Sequence, residues 1–360
     1  MHITGLDNPI IAEDIERIIA DDLPWETFRD TTVLVTGASG MIPSYVLCTL
    51  LALNDRDNLN IRVLALVRNE QKARRILGSL LDRSDLTLLV QDVTAPLAIN
   101  GPVDYIIHGA GPARPAQHQS APTATIRAAL IGTFHLLDLA VSKGNAAFVL
   151  MSSSEVYGKV SDDLESITET DYGYLDCLNP RSCYSEGKRA AETICASYHA
   201  QYGIDCRIVR FAHIYGPGLS PDDGRVQADF AANVFRGENI VMKSDGSARR
   251  AYTYVSDAVS GLFYTLLLGT EPAYNVADSE HVISIRQLAE AFLASRPEKQ
   301  LELVMDIDEN TTGKYNPARF IGLDDRRIKS LGWIPKVGIG EGTSRMVAHF
   351  DLTANERQQL

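Results

Sequence analysis

Short apolar runs alternate with amphipathic stretches through the first two hundred residues. Runs rich in Val, Ile, Leu and Thr at 31–36, 61–67, 87–91, 105–108, 147–151 and 205–210 predict strands, since each is short and bounded by glycine or polar clusters. Between them, residues 71–81, 121–143 and 183–202 predict helices. So does the stretch carrying Met41, Ile42, Tyr45, Val46, Leu50 and Leu51. An amphipathic helix over 11–20 and the turn Leu23-Pro24-Trp25 precede the first strand. Near-continuous apolar strands alternating with helices imply a parallel sheet covered on both faces. Right-handed crossovers then predict a doubly wound α/β sheet, with ligands at the carboxyl ends of its strands.

After about residue 175 the pattern loosens. Gly216-Pro217-Gly218 and Pro221-Asp222-Asp223-Gly224 interrupt it, between helices expected at 227–236, 257–268 and 285–294. This predicts a helical extension over 1–30, a sheet domain mainly over 31–215, and a smaller lobe mainly over 216–360 that covers the sheet's active edge. Residues 205–210 still read as sheet, so the chain crosses between lobes. The acidic stretch 161–171 reads as a solvated loop.

Charge narrows the partners. The 34 Lys+Arg against 46 Asp+Glu leave a net charge of −12, which disfavours nucleic acid and anionic membrane, since both require clustered cations. With 45% hydrophobic and 22% charged residues the chain has the make-up of a folded globular protein. No uninterrupted apolar run reaches the roughly 18 residues of a membrane span. The first residues are acidic and lack the basic, apolar and cleavage-site succession of a secretory signal. Five cysteines show no CxxC or CxxH spacing, so no metal site is expected, and reduced thiols in a cytoplasm are.

Thr36-Gly37-Ala38-Ser39-Gly40-Met41-Ile42-Pro43 joins the first strand to the first long helix. Glycines there let the backbone turn sharply and approach a pyrophosphate, whose charge the helix N-terminus favours. Gly37, Ser39, Gly40, Met41 and Ile42 are therefore candidate cofactor contacts. At the end of the second strand stands Arg68. An acidic residue there would bond the ribose hydroxyls of NAD, whereas arginine can pair with the extra phosphate of NADP.

Further on, Tyr184 and Lys188 stand four residues apart, on one face of a helix. A tyrosine near its reference pKa of ~10 is a poor base at neutral pH. A cationic lysine beside it favours the phenolate, so the pair can take a proton from a sugar hydroxyl as hydride leaves the same carbon. The fifth strand runs into Met151-Ser152-Ser153-Ser154-Glu155-Val156-Tyr157-Gly158, which offers Ser153 to hold the reacting oxygen.

Together these motifs resemble the extended short-chain dehydrogenase/reductases, within the nucleotide-sugar epimerase/dehydratase superfamily. The resemblance runs from about Thr31 to Pro335 and is nearest to UDP-glucuronate decarboxylases. It rests on TGxxGxx at Gly37 and Gly40, on Gly111-Pro112-Ala113-Arg114-Pro115, on Ser153-Ser154-Glu155-Val156-Tyr157-Gly158 and on Asn179-Pro180-Arg181-Ser182-Cys183-Tyr184-Ser185-Glu186-Gly187-Lys188-Arg189. Asp223-Gly224-Arg225-Val226, the block from Arg250 to Asp257, and Leu331-Gly332-Trp333 also match. The resemblance implies a Rossmann fold and a tightly held NAD, with NADP admitted by Arg68. It places Asp92, Val93 and Ala110 at the cofactor. Arg225 falls to the nucleotide diphosphate, His213 to the substrate, and Glu155 and Arg250 to the sugar's carboxylate and C5 proton. A homodimer through the helices at 121–143 and 183–202 is implied as well.

Within the superfamily, 4,6-dehydratases resemble one another in a Thr-Asp-Glu strip whose aspartate protonates a departing C6 hydroxyl. Here Ser154 replaces that acid and Glu155 follows, the pairing of a decarboxylase. The implied cycle is C4 oxidation, loss of CO2 from the resulting β-keto acid, and re-reduction to a UDP-pentose. A 4,6-dehydratase or 4-epimerase is the alternative. Departures stand out: Pro43 replaces a third glycine, His213 replaces asparagine, and Lys243 replaces a base-stacking tyrosine, which leaves the nucleobase open. In the family's basic segment near 315–322, Arg319 is the one candidate.

Overall fold

The computed structural model describes residues 6–161, 163–307 and 322–358. In chain order it opens with α1 (Pro9–Ile19), β1 (Thr32–Thr36), α2 (Met41–Asp57), β2 (Arg62–Val67), α3 (Glu70–Leu77), β3 (Leu86–Val90), β4 (Tyr105–His108), α4 (Pro115–Ser120) and α5 (Pro122–Ser142). Then come β5 (Ala147–Ser153), β6 (Ser166–Ile167), α6 (Cys183–Tyr202), β7 (Cys206–Phe211), β8 (His213–Tyr215), α7 (Val226–Arg236), β9 (Ile240–Met242) and β10 (Arg249–Tyr254). The chain continues through α8 (Val255–Leu268), β11 (Ala273–Val276), β12 (Val282–Ser284), α9 (Ile285–Ala294), β13 (Leu303–Met305), β14 (Gly322–Leu323), α10 (Arg326–Lys329) and α11 (Ile339–Gln358).

Seven parallel strands form the main sheet, in the order β11-β7-β5-β4-β1-β2-β3. Strand order reverses between β1 and β4, so the crevice for a ligand opens at their carboxyl ends. Successive side chains of β1 serve opposite faces. Val33 and Val35 join the cluster of α1, α2 and α8, while Leu34 joins that of α5 and α6. Smaller sheets, β12-β10-β8, β13-β9 and β14-β6, frame the second lobe above this edge.

The seventh strand comes from beyond residue 216. Residues 273–276 pair with β7 from Ala273↔Ile208 to Val276↔Phe211, so the second lobe returns a strand to the first. The N-terminal helix is equally shared. Asp14 is buried where it accepts hydrogen bonds from the Tyr45 and Tyr254 hydroxyls, both at 2.9 Å, and pairs with Arg345 at 2.8 Å. One carboxylate thus ties α1 to α2, β10 and α11.

The acidic stretch 161–171 is not wholly a solvated loop. Ile167 is buried, paired in β6 against β14, and the buried Glu169 accepts the Asn275 N–H at 2.9 Å. Its solvated appearance in sequence comes from Asp163 and Glu165, which are both exposed. Among the described residues, one helix, Pro122–Ser142, is long and apolar enough to cross a membrane by length and composition. Here it packs along α6 and over β4 and β5.

Candidate active site

The turn after β1 is built by crowding. Gly37 sits at φ +69°, and a Cβ there would lie 2.8 Å from the Gly109 carbonyl oxygen and 2.9 Å from Ala110 at the end of β4. Only glycine allows this left-handed, close-packed turn. Thr36 locks the same junction: its hydroxyl lies 2.9 Å from His108 Nδ1 and accepts the Ala110 N–H at 3.1 Å. Gly40 caps α2 in extended conformation, with no side chain capping the helix. The first turn of α2, with Met41 and Ile42, is thereby presented to the crevice, as the pyrophosphate of a dinucleotide requires. Pro43 leaves α2 unbroken from Met41 to Asp57 and packs its ring on Gly109, where an added Cβ would come within 2.7 Å. At the third helical position its missing N–H removes no helical bond. Gly218 of the second lobe lies over Met41, its ideal Cβ 3.3 Å from the Met41 Cγ.

On the adenosine side, Arg68 follows β2 and stands 3.8 Å from Asp92, a loose and exposed pair. Asp92 also accepts the Thr94 N–H at 2.9 Å and the Thr94 hydroxyl at 2.8 Å, and these bonds hold its carboxyl below the usual range. Lys72, one helical turn on, is drawn down from the ordinary lysine range by burial first, then by the neighbouring positive charges of Arg114, Arg75 and Arg68. Val93 is buried, packed so closely on α5 that a Cβ at Gly132 would lie 2.9 Å from it. The crowded glycine turn, the uncapped helix and this polar edge fit a nicotinamide dinucleotide.

The β5 carboxyl end divides its serines by the alternation of a strand. Ser152 points into the core and donates to Glu192 at 2.5 Å. Ser153 points to the crevice, where it accepts the Glu155 N–H at 3.2 Å and faces the phenol of Tyr184, whose pKa it pulls down. Ser154 opens the turn that places Glu155 at the mouth. Glu155 accepts the Ser185 hydroxyl at 2.9 Å and lies 3.7 Å from Arg181.

Tyr184 and Lys188 share one face of α6, as their spacing predicts, yet the lysine does not lower the phenol's pKa here. Lys188 donates to the Met151 carbonyl at 2.6 Å. Burial pushes the phenol up, reinforced by the charge of Glu155, with Ser153, Arg225 and Arg181 pulling the other way. Lys188 itself is pushed down to about 8 by burial, opposed by the carboxylate of Glu192. The expected acidification thus needs the ammonium to turn from Met151 to the phenol. Glu192 is held in turn by Arg210, at 2.6 and 3.0 Å, in a buried pair.

The second lobe brings the remaining candidates. Arg225, at the start of α7, is engaged by Asp223, which also lies 3.6 Å from Arg114. His213 lies half-buried on β8 opposite Tyr252 of β10, and desolvation of its ring, then the charges of Arg250 and Arg225, hold it neutral, near 3. Arg250 donates to the Arg249 carbonyl at 2.7 Å. Lys243 forms an exposed ion pair with Asp306. Arg319 lies outside the described residues.

The motifs assign no role to three crevice residues that lie within them, Arg181, Ser185 and Arg114, and they do not contain a fourth, His118. The last stacks flat on Tyr184, ring centroids 4.4 Å apart and planes 13° from parallel. It precedes Tyr184 by more than sixty positions, and no spacing rule connects them.

Comparisons with known proteins agree with this geometry. A model of the NAD dependent epimerase/dehydratase family matches residues 33–277. UDP-glucuronic acid decarboxylase 6 of Arabidopsis thaliana is 33% identical over 321 residues, 89% of each chain. UDP-glucuronic acid decarboxylase 1 of Danio rerio is 31% identical, over 88% of this chain and 72% of that one. Among solved structures, the Streptomyces venezuelae dTDP-glucose 4,6-dehydratase DesIV, with NAD and TYD bound, superposes with a TM-score of 0.75 at 25% identity, covering 91% of this chain and 98% of that one. A UDP-glucuronic acid 4-epimerase from Bacillus cereus, in complex with UDP-glucuronic acid and NAD, shares the fold at 19% identity and TM-score 0.72, covering 90% of this chain and all of that one.

Proposed function

Because the chain belongs to the NAD dependent epimerase/dehydratase family, we propose that it decarboxylates UDP-glucuronate to a UDP-pentose. The observation that carries the reading is Glu155, held by Ser185 and Arg181 beside Ser153 and Tyr184, with Ser154 where a dehydratase needs an acid. A nicotinamide held over the β1 turn would supply hydride acceptance from the sugar's C4 and its return. The protein's own part is proton handling and placement.

Tyr184 takes the C4 hydroxyl proton, while Ser153 holds that oxygen in line. A ketone at C4 makes the C5 carboxylate a β-keto acid, which loses CO2 as its electrons flow toward the new carbonyl. Glu155 lies where the C5 proton must be delivered, and Arg250 and Arg181 offer cations to the carboxylate before it leaves. Arg225, released from Asp223, is suited to the diphosphate, since a guanidinium matches phosphate geometry. The cycle is redox-neutral, so the cofactor can stay bound. NAD is the expected cofactor; the loose Arg68–Asp92 pair could yield to a 2′-phosphate and so admit NADP. A second copy of the chain is placed against α5 and α6, where Phe134 and Tyr202 are exposed beside Tyr198. The five free thiols suit a reducing cytoplasm.

The test is incubation of the cofactor-loaded protein with UDP-glucuronate. CO2 and a UDP-pentose in equal amounts are expected. Release of UDP-galacturonate without CO2 would overturn the reading and make the protein an epimerase.

A further inference from the structure

We propose that His118 is a positioning residue for the phenol of Tyr184, fixing its plane by a flat ring stack. The inference rests on the reading of Tyr184 as the base and adds a residue to its machinery. His118 belongs to α4, which follows the β4 crossover and is set by Arg114-Pro115 at its start. Its side chain is 2% exposed. The centroid separation of 4.4 Å lies at the close end of aromatic contact, and the near-parallel planes make a broad face-to-face cover.

Two bonds hold the stack in place. His118 Nε2 lies 3.1 Å from the Pro112 carbonyl, which can only accept, so Nε2 carries the hydrogen. The His118 carbonyl in turn accepts the Cys183 thiol at 3.6 Å, one residue before Tyr184. Histidine ring and tyrosine ring are thus tied to each other through both their elements. Nδ1 is left a bare lone pair, buried and without a hydrogen-bond partner among the described residues. An unmade bond of this kind costs roughly 1–3 kcal/mol, and such groups call for an explanation beyond packing.

The tautomer makes the cover neutral. Burial depresses the imidazole's pKa, so no cation lies over the phenol from α4. The charges that act on Tyr184 come from other elements, Glu155 from the turn after β5, Arg181 before α6 and Arg225 before α7, while Lys188 on its own helix is turned to the Met151 carbonyl. Acidity thereby follows from burial first and from those charges second, while orientation falls to His118. A misplacement of about 1 Å can cost on the order of 100-fold in rate, which is the scale at which a lost stack should register.

The experiment uses the cofactor-loaded full chain and UDP-glucuronate. His118→Ala should lower kcat by roughly 10- to 100-fold with KM little changed. It should also move the acidic limb of the kcat profile to lower pH, because water then reaches a phenol that burial now holds up. His118→Phe keeps a flat ring without nitrogens and should recover most of kcat and the original limb. Full kcat in His118→Ala, or a Phe variant no better than Ala, overturns the proposal. Should His118→Ala fail to fold, His118→Phe against His118→Gln decides the same point, the glutamine variant being the slower one if the stack matters. Tyr184→Phe is the control: if it still turns over, the reading of the base fails, whatever His118 does.

Discussion

Two acid–arginine pairs lie on either side of Tyr184 and Lys188, and they are built in opposite ways. Glu192–Arg210 is buried: its side chains are 9% and 3% exposed, its oxygens are met at 2.6 and 3.0 Å, and Ser152 and Tyr157 fill the remaining directions. The Arg210 guanidinium is also sandwiched between the Tyr157 and Tyr172 rings, at 5.0 and 5.5 Å. Glu155–Arg181 is 3.7 Å long and open to solvent at 44% and 38%. A buried pair with every valence filled cannot change partners without leaving a charge stranded. An open one gains little from its own contact and can give an arginine to an incoming carboxylate. Proximity to Tyr184 therefore says less about a residue's work than the freedom of its charge.

The contrast can be broken most directly at the buried pair. Arg210→Ala should destabilise the fold by about 3–5 kcal/mol in urea unfolding, against about 0–1 kcal/mol for Arg181→Ala. Equal losses would erase the distinction. Next in size, Glu155→Gln should lower turnover by roughly 100-fold or more with an unchanged unfolding midpoint. Loss of stability instead would make Glu155 a structural group. The smallest effect concerns Lys188. Without cofactor its ammonium should titrate near 8 by NMR of labelled lysine, below the ordinary value of 10.5. A folded-state pKa below the unfolded one means the unfolded chain binds more protons between those two values. The contribution of this group to stability should therefore rise from about pH 8 to 10.5. Glu192→Gln should move the midpoint lower still, since that carboxylate supports the charge.

Much of this architecture was legible from patterning. The predicted strand 105–108 and the helices 183–202 and 285–294 coincide with β4, α6 and α9, because long periodic or uniformly apolar segments leave little choice. The same logic brings out the carboxyl-edge positions, since Gly37 and Arg68 each follow a strand and Ser153 ends one. β11 escaped. Its Ala-Tyr-Asn-Val reads as no strand until Asn275 is seen buried, its amide donating to the Ile167 and Asp324 carbonyls, both at 3.0 Å. α11 escaped because Gly340 and Gly342 look like breakers. Gly342 is there for clearance: a Cβ would fall 2.2 Å from the Tyr215 hydroxyl. Tertiary demands of this kind leave no periodic trace.

Asp14 carries one further implication, for biogenesis. Burial raises its carboxyl's pKa, and Arg345 is the charge that offsets this. Helix α1 is accordingly docked by a side chain that lies more than three hundred residues further along the chain. Until that arginine has been synthesised, the nascent amphipathic segment carries an acid without the charge that offsets its burial.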